Sequence, residues 1–120
     1  PITAVLGDQQ AALIGTGCSQ PGDAKCTFGT GSFLVVNTGS NLHRPPSNFL
    51  TTVAQSHQGR LQYAVEAPIA MAAVGVNWLV QNGFISAPQD IDRLPEAEGV
   101  LFVPGLAGGL LAPYWRPDIS

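Results

Sequence analysis

The sequence predicts a single α/β unit in which one helix precedes an antiparallel β-meander and another follows it. Three observations carry this. Four β-prone runs, at 24–28, 32–37, 50–56 and 60–66, are separated by turns that contain glycine. Apolar residues recur at helical spacing after Pro68. No internal repeat, low-complexity tract or linker divides the 120 residues.

Taken in order, 3–6 reads as a short buried strand and 8–17 as a helix. Asp8 lies in its first turn, where a carboxylate is favourable against the positive end of the helix dipole. After Gly17 and Pro21-Gly22, the runs 24–28 and 32–37 form a hairpin whose tip is Gly29-Thr30-Gly31. Loops around Thr38-Gly39 and Arg44-Pro45-Pro46 lead to the second strand pair, 50–56 and 60–66, joined by His57-Gln58-Gly59. From Pro68, a favourable first helical residue, Ala72, Val76, Leu79 and Val80 recur at i, i+4, i+7 and i+8, and Asn82-Gly83 supplies a stop. The polar stretch 86–98 reads as a connecting helix or loop, 100–103 as a strand, and the rest as Gly- and Pro-rich loop.

Composition narrows the function. The net charge is -3, and the cations are one lysine, Lys25, and the scattered Arg44, Arg60, Arg93 and Arg116, so no basic patch exists to track a nucleic-acid backbone. The apolar stretches fall well short of the ~20 residues of a membrane span, and the first residues lack the features of a signal peptide. Cys18 and Cys26 lack metal-ligand spacing; two reduced, mostly buried thiols in a cytoplasmic protein are the favoured reading, with a disulfide as the alternative. One ordinary domain fits this length, whereas a two-domain enzyme with a cleft does not, so either the function is compact or the chain is part of a longer one.

Three features could carry chemistry. Asp8 sits at a strand-to-helix junction, a usual location for functional groups in α/β folds, although acids are common at helix starts for electrostatic reasons alone. Thr27-Phe28-Gly29-Thr30-Gly31-Ser32 brings backbone N–H groups close to an anion such as phosphate, or else forms a plain hairpin turn; it is not a P-loop, because GxxxxGK[ST] is absent. The apolar and aromatic residues of 102–104 and 112–118 line a cleft or close the core. His43 and His57 lie in loops without a nucleophile partner and receive no role.

Taken together, Gly7-Asp8-Gln9-Gln10-Ala11-Ala12-Leu13, Ala24-Lys25-x-Thr27-x-Gly29-Thr30-Gly31-Ser32-Phe33, Asn37-Thr38-Gly39, Tyr63-Ala64-Val65-Glu66, Trp78-Leu79, Val100-x-Phe102-Val103-Pro104 and Ala112-Pro113-Tyr114-Trp115 resemble the glycerol kinase branch of the FGGY carbohydrate kinase family across essentially the whole chain. The resemblance implies an actin-like (ribonuclease H-like) two-domain ATPase fold, present here in part, with 1–120 forming the first part of the C-terminal domain. It implies an ATP- and Mg²⁺-dependent phosphorylation of glycerol, with the isolated chain inactive; a family kinase for another short polyol or sugar, or a non-catalytic paralogue, is the alternative.

By the same resemblance, Asp8 is the catalytic base and Gln9 hydrogen-bonds the polyol, while Phe33 packs on the polyol carbons. Gly29, Thr30 and Gly31 contact the nucleotide phosphates. Ala73 and Asn77 stand where the family usually has a nucleotide-contacting glycine and glutamine. The expected partners are the polyol, ATP and the rest of the kinase chain, with no nucleic acid and no membrane, and homo-oligomerisation is left open. The loop 105–111 is about one residue longer than usual in the family, and Arg116 replaces a residue that is usually acidic.

Overall fold

The computed structural model describes residues 1–45, 48–95, 98–101 and 110–118. Its elements are α1 (Asp8–Gly15), β1 (Ala24–Phe28), β2 (Ser32–Gly39), β3 (Leu50–His57), β4 (Arg60–Ile69), α2 (Ala73–Gln81) and a short 3₁₀ helix, Pro88–Arg93. The four strands form one antiparallel sheet in the order β1-β2-β4-β3. The two hairpins exist at the expected turns, but they join through β2 and β4, so β3 lies at an edge and the strands are not sequential neighbours as a meander requires.

Register explains the core. Lys25 stands opposite Val35, Thr27 opposite Phe33, Asn37 opposite Ala64 and Phe33 opposite Pro68, which places these side chains on one face of the sheet. α1 packs on β1, β2 and β3, and Leu13, Cys18, Val35, Ala54 and Ala64 form the buried cluster beneath it. Leu13 is 1% exposed, so its burial contributes about 1.5–3 kcal/mol by apolar transfer alone. Asn37 is equally buried with both ends of its side-chain amide bonded: Nδ2 donates to Cys18 O, and Oδ1 accepts from the Gly39 N–H at 2.7 Å.

Several expectations are corrected. Residues 3–6 are not a strand; Ile2 and Val5 are 88% and 86% exposed, and among the described residues no strand pairs with this segment. α1 ends at Gly15, two residues early, where the Thr16 hydroxyl turns back to the Ala12 and Leu13 carbonyls. Pro68 does not open a helix but lies in β4. β3 begins at Leu50 opposite Glu66, so beyond that point β2 is the only strand beside β4 among the described residues, and a missing N–H is tolerated at such a local edge.

α2 starts five residues after Pro68 and stops at Asn82-Gly83 as expected, with Gly83 at φ 75°. It has no fully buried residue, and Trp78 stacks on Phe84 with ring centroids 5.6 Å apart. Val100 and Leu101 are exposed and outside any strand, while Phe102 and Val103 lie outside the described residues. Both cysteines are free thiols; Cys18 is buried, but Cys26 is exposed because it faces away from α1 on edge strand β1. Among the described residues, no helix is long and apolar enough to cross a membrane.

Candidate functional site

The first turn of α1 lies over β1. Gly7 caps the helix with extended backbone and no side-chain bond, and the Asp8 carboxylate accepts the Gln9 N–H at 2.8 Å. The rest of the Asp8 side chain is exposed. Gln9 turns toward the sheet, and its Oε1 accepts from both Lys25 Nζ and Thr27 Oγ1, the latter at 3.3 Å. Lys25 Nζ also donates to Thr27 Oγ1 at 2.7 Å, so the three side chains close a triangle. Gln10 reaches the other way, donating to Thr52 of β3 at 3.3 Å.

β-pleat geometry makes this cluster. Lys25 and Thr27 are two residues apart on one strand and therefore share a face, the face that α1 covers. Phe33, half-buried on β2, stands directly opposite Thr27, which brings the ring beside the Gln9 triangle. Lys25 and Thr27 fall in the block that resembles the family but have no role assigned by the sequence alone. The usable signal was that the chain's sole lysine alternates in phase with Thr27 on a strand.

The second group of residues gathers at the hairpin tip. Gly29 N–H donates to Gly31 O at 2.9 Å, while the carbonyls of Thr30 and Gly29 accept from Ala72 and Ala73 N–H at 3.1 and 3.0 Å. The tip is thus bonded to the start of α2 through its carbonyls. Among the described residues, neither the Thr30 nor the Gly31 N–H donates to a backbone carbonyl, so both remain for an anion. A Cβ at Gly31 would lie 2.9 Å from the Ile69 carbonyl oxygen, so the close approach of tip and β4 requires glycine. Next to it, Ser32 is 1% exposed and its Oγ has no partner.

Ala73 and Asn77 are both exposed and one turn apart, hence on one side of α2. The Gln9–Lys25–Thr27–Phe33 group and the tip with Ala73 are connected by strand β1, and Asp8 stands at the helix end above it. Elsewhere, a cavity of about 470 Å³ bordered by Val36, Asn37, Thr38 and His43 contains none of the predicted site residues. No group of three His, Cys, Asp or Glu side chains that could hold a metal occurs among the described residues. The C-terminal segment folds back on itself through a Leu110–Arg116 bridge, and the Trp115 indole N–H bonds to the Asn48 carbonyl. Arg116 pairs with Asp118 through two short bonds of 2.8 and 2.6 Å.

Residues 24–120 match the family model described as the FGGY family of carbohydrate kinases, C-terminal domain. Asp8 and Gln9 precede that span. The chain is 46% identical over 123 residues to a glycerol kinase of Alkalilimnicola ehrlichii, and 46% identical over 124 residues to one of Mycobacterium tuberculosis. Each match covers 98% of this chain but only 25% and 24% of the relative, so the chain spans about a quarter of the length of the curated relatives it matches. The fold is similar to that of Plasmodium falciparum glycerol kinase solved with ADP, at TM-score 0.85 and 40% identity, covering 98% of this chain and 24% of that one.

Proposed function

The chain belongs to the FGGY family of carbohydrate kinases, and we propose that it is part of an ATP-dependent kinase that phosphorylates the terminal hydroxyl of glycerol, yielding glycerol 3-phosphate and ADP. Within it, 1–120 is the first part of the C-terminal domain. One observation carries the reading: α1 sets the Gln9 amide on Lys25 and Thr27 of β1 with the Asp8 carboxylate beside it in sequence, the Phe33 ring stands opposite Thr27, and the tight glycine turn follows directly at the tip of the same hairpin.

ATP supplies the phosphoryl group and the leaving ADP. Asp8, exposed at the helix end, accepts the proton of the attacking hydroxyl. Gln9 donates its amide hydrogens to a polyol oxygen, and Phe33 covers the polyol carbons and excludes water. Thr30 and Gly31 direct N–H groups and a hydroxyl at the phosphates, with Gly29 closing the turn. Ala73 and Asn77 border the nucleotide on the exposed side of α2.

A magnesium ion accompanying the nucleotide finds no complete set of protein ligands among the described residues. The enzyme is taken to be cytoplasmic, where ATP is at hand. The test is a substrate panel on the complete kinase chain, read by ADP release. Glycerol-dependent turnover is expected; turnover with another polyol alone, or with none, would reject glycerol kinase activity.

A further inference from the structure

Lys25 is 7% exposed, a severe position for an ammonium group. Among the described residues no carboxylate lies within ion-pair distance of it; its identified partners are the neutral oxygens of Gln9 and Thr27. A buried cation without a counter-charge, held by an amide oxygen at the edge of a candidate substrate site, calls for a role beyond packing.

The geometry points to Lys25 as the positioning residue that sets the orientation of the Gln9 amide, with Thr27 as its auxiliary. The inference rests on the glycerol kinase reading above. An amide can present either end, and nothing in Gln9 itself chooses. Here the oxygen end is taken twice, by the ammonium and by the Thr27 hydroxyl, which itself accepts from Lys25. No hydrogen bond from Gln9 Nε2 occurs among the described residues. The NH₂ end is therefore the one presented outward, as a donor to a polyol oxygen. A charge-assisted bond is stronger than a neutral one, so the lysine enforces this choice more firmly than a second hydroxyl could. Because Lys25 and Thr27 lie on the strand that ends in the Gly29-Thr30-Gly31 turn, the same strand orients the polyol-binding amide and carries the phosphate turn.

The test is steady-state kinetics on the complete kinase chain, measuring kcat and KM for glycerol and for ATP separately, with Tm recorded for each variant. In Lys25→Met the glycerol KM should rise roughly tenfold, the loss expected for one charge-assisted bond, with ATP KM nearly unchanged. Combined with Gln9→Ala, Lys25→Met should add nothing further, because it acts only through that amide. Lys25→Arg should recover part of the loss. Unchanged glycerol KM in Lys25→Met, equal rises in both KM values, or multiplying effects in the double variant would each overturn the assignment. If Lys25→Met does not fold, Thr27→Val decides: a few-fold rise in glycerol KM that disappears in the Gln9→Ala background supports it, and no rise rejects it. Wild-type chain without glycerol turnover would remove the functional reading itself and this inference with it, an outcome distinct from an active wild type with an indifferent Lys25→Met.

Discussion

The Ala73 N–H donates to the Gly29 carbonyl at 3.0 Å, so the tip of the β1–β2 hairpin and the first turn of α2 form one joint. Ala72 repeats the contact to Thr30 at 3.1 Å. Carbonyls used in this way leave the amides of the turn pointing elsewhere, which is the arrangement an anion needs. Substitutions at this joint, in the helix that carries Asp8 and Gln9, and at the C-terminal ion pair should have separable effects, with kinetics measured on the complete kinase chain.

Gly31→Ala should damage the joint directly. The new Cβ would meet the Ile69 carbonyl at 2.9 Å, and a backbone atom cannot rotate away. Overpacking of this kind costs about 1–3 kcal/mol. A lowered Tm and an ATP KM raised more than the glycerol KM are expected; a variant with wild-type values for both would show that the close approach is dispensable.

Asp8→Asn should leave the fold intact, since an asparagine oxygen can still accept the Gln9 N–H that Asp8 accepts at 2.8 Å. What is lost is the proton acceptor. A positioned base contributes ~10²–10⁴-fold, so kcat should fall by that order while ATP KM stays near wild type. Near-normal turnover would eliminate Asp8 as the base.

Leu13→Ala removes the largest apolar side chain buried between α1 and the sheet. A loss of about 2–5 kcal/mol is expected from transfer and cavity terms together. Denaturant unfolding measures it. Because the same helix presents Asp8 and Gln9, glycerol KM should rise alongside the stability loss; a stable variant with unaltered KM would mean that α1 is held by something other than this contact.

Asn77→Ala is the counterpart on the nucleotide side. Asn77 is exposed, so stability should change by less than about 0.5 kcal/mol. ATP KM should increase all the same. Calorimetric titration of ATP or ADP separates the two effects, and unchanged nucleotide affinity would remove Asn77 from the site.

Among the described residues, the Arg116–Asp118 pair has a defined pH signature. Its hydrogen bond to the Arg116 guanidinium holds the Asp118 carboxyl below the usual carboxylate range. A lowered folded-state value means that the stabilisation is present above the ordinary carboxylate pKa and is lost as pH falls through the lowered one. The pair is exposed, so the effect is small and screened by salt. Arg116→Ala should lower Tm slightly at neutral pH and not at all in strong acid or high salt; an equal Tm loss at both pH values would assign Arg116 a different role.

Much of this was legible in local pattern. The strands of the first hairpin, its Gly29-Thr30-Gly31 tip, the turn at Gln58-Gly59 and the stop at Asn82-Gly83 all follow from β-prone runs and turn residues whose backbone demands are local. Pro68 favours a first helical turn locally, but its place in β4 depends on a non-local fact: among the described residues only β2 pairs with that end of the strand. At 3–6 the apolar run is local too, but a strand also needs a partner, and among the described residues none pairs with it.

By itself, then, the sequence determined the four strands of the sheet, the helix at Asp8, the turn chemistry and the juxtaposition of Asp8 with Gln9 at a helix start, all of which depend on residues a few positions apart. Only the tertiary structure decided that β2 pairs with β4, that the Gly29 carbonyl meets Ala73, and that Gln9 closes on Lys25 and Thr27 sixteen and eighteen residues away. Strand alternation states which side chains share a face. It does not state which helix covers that face or at what height, and that was settled by the burial of Leu13 against Val35, Ala54 and Ala64, which sets the position of α1 over the sheet.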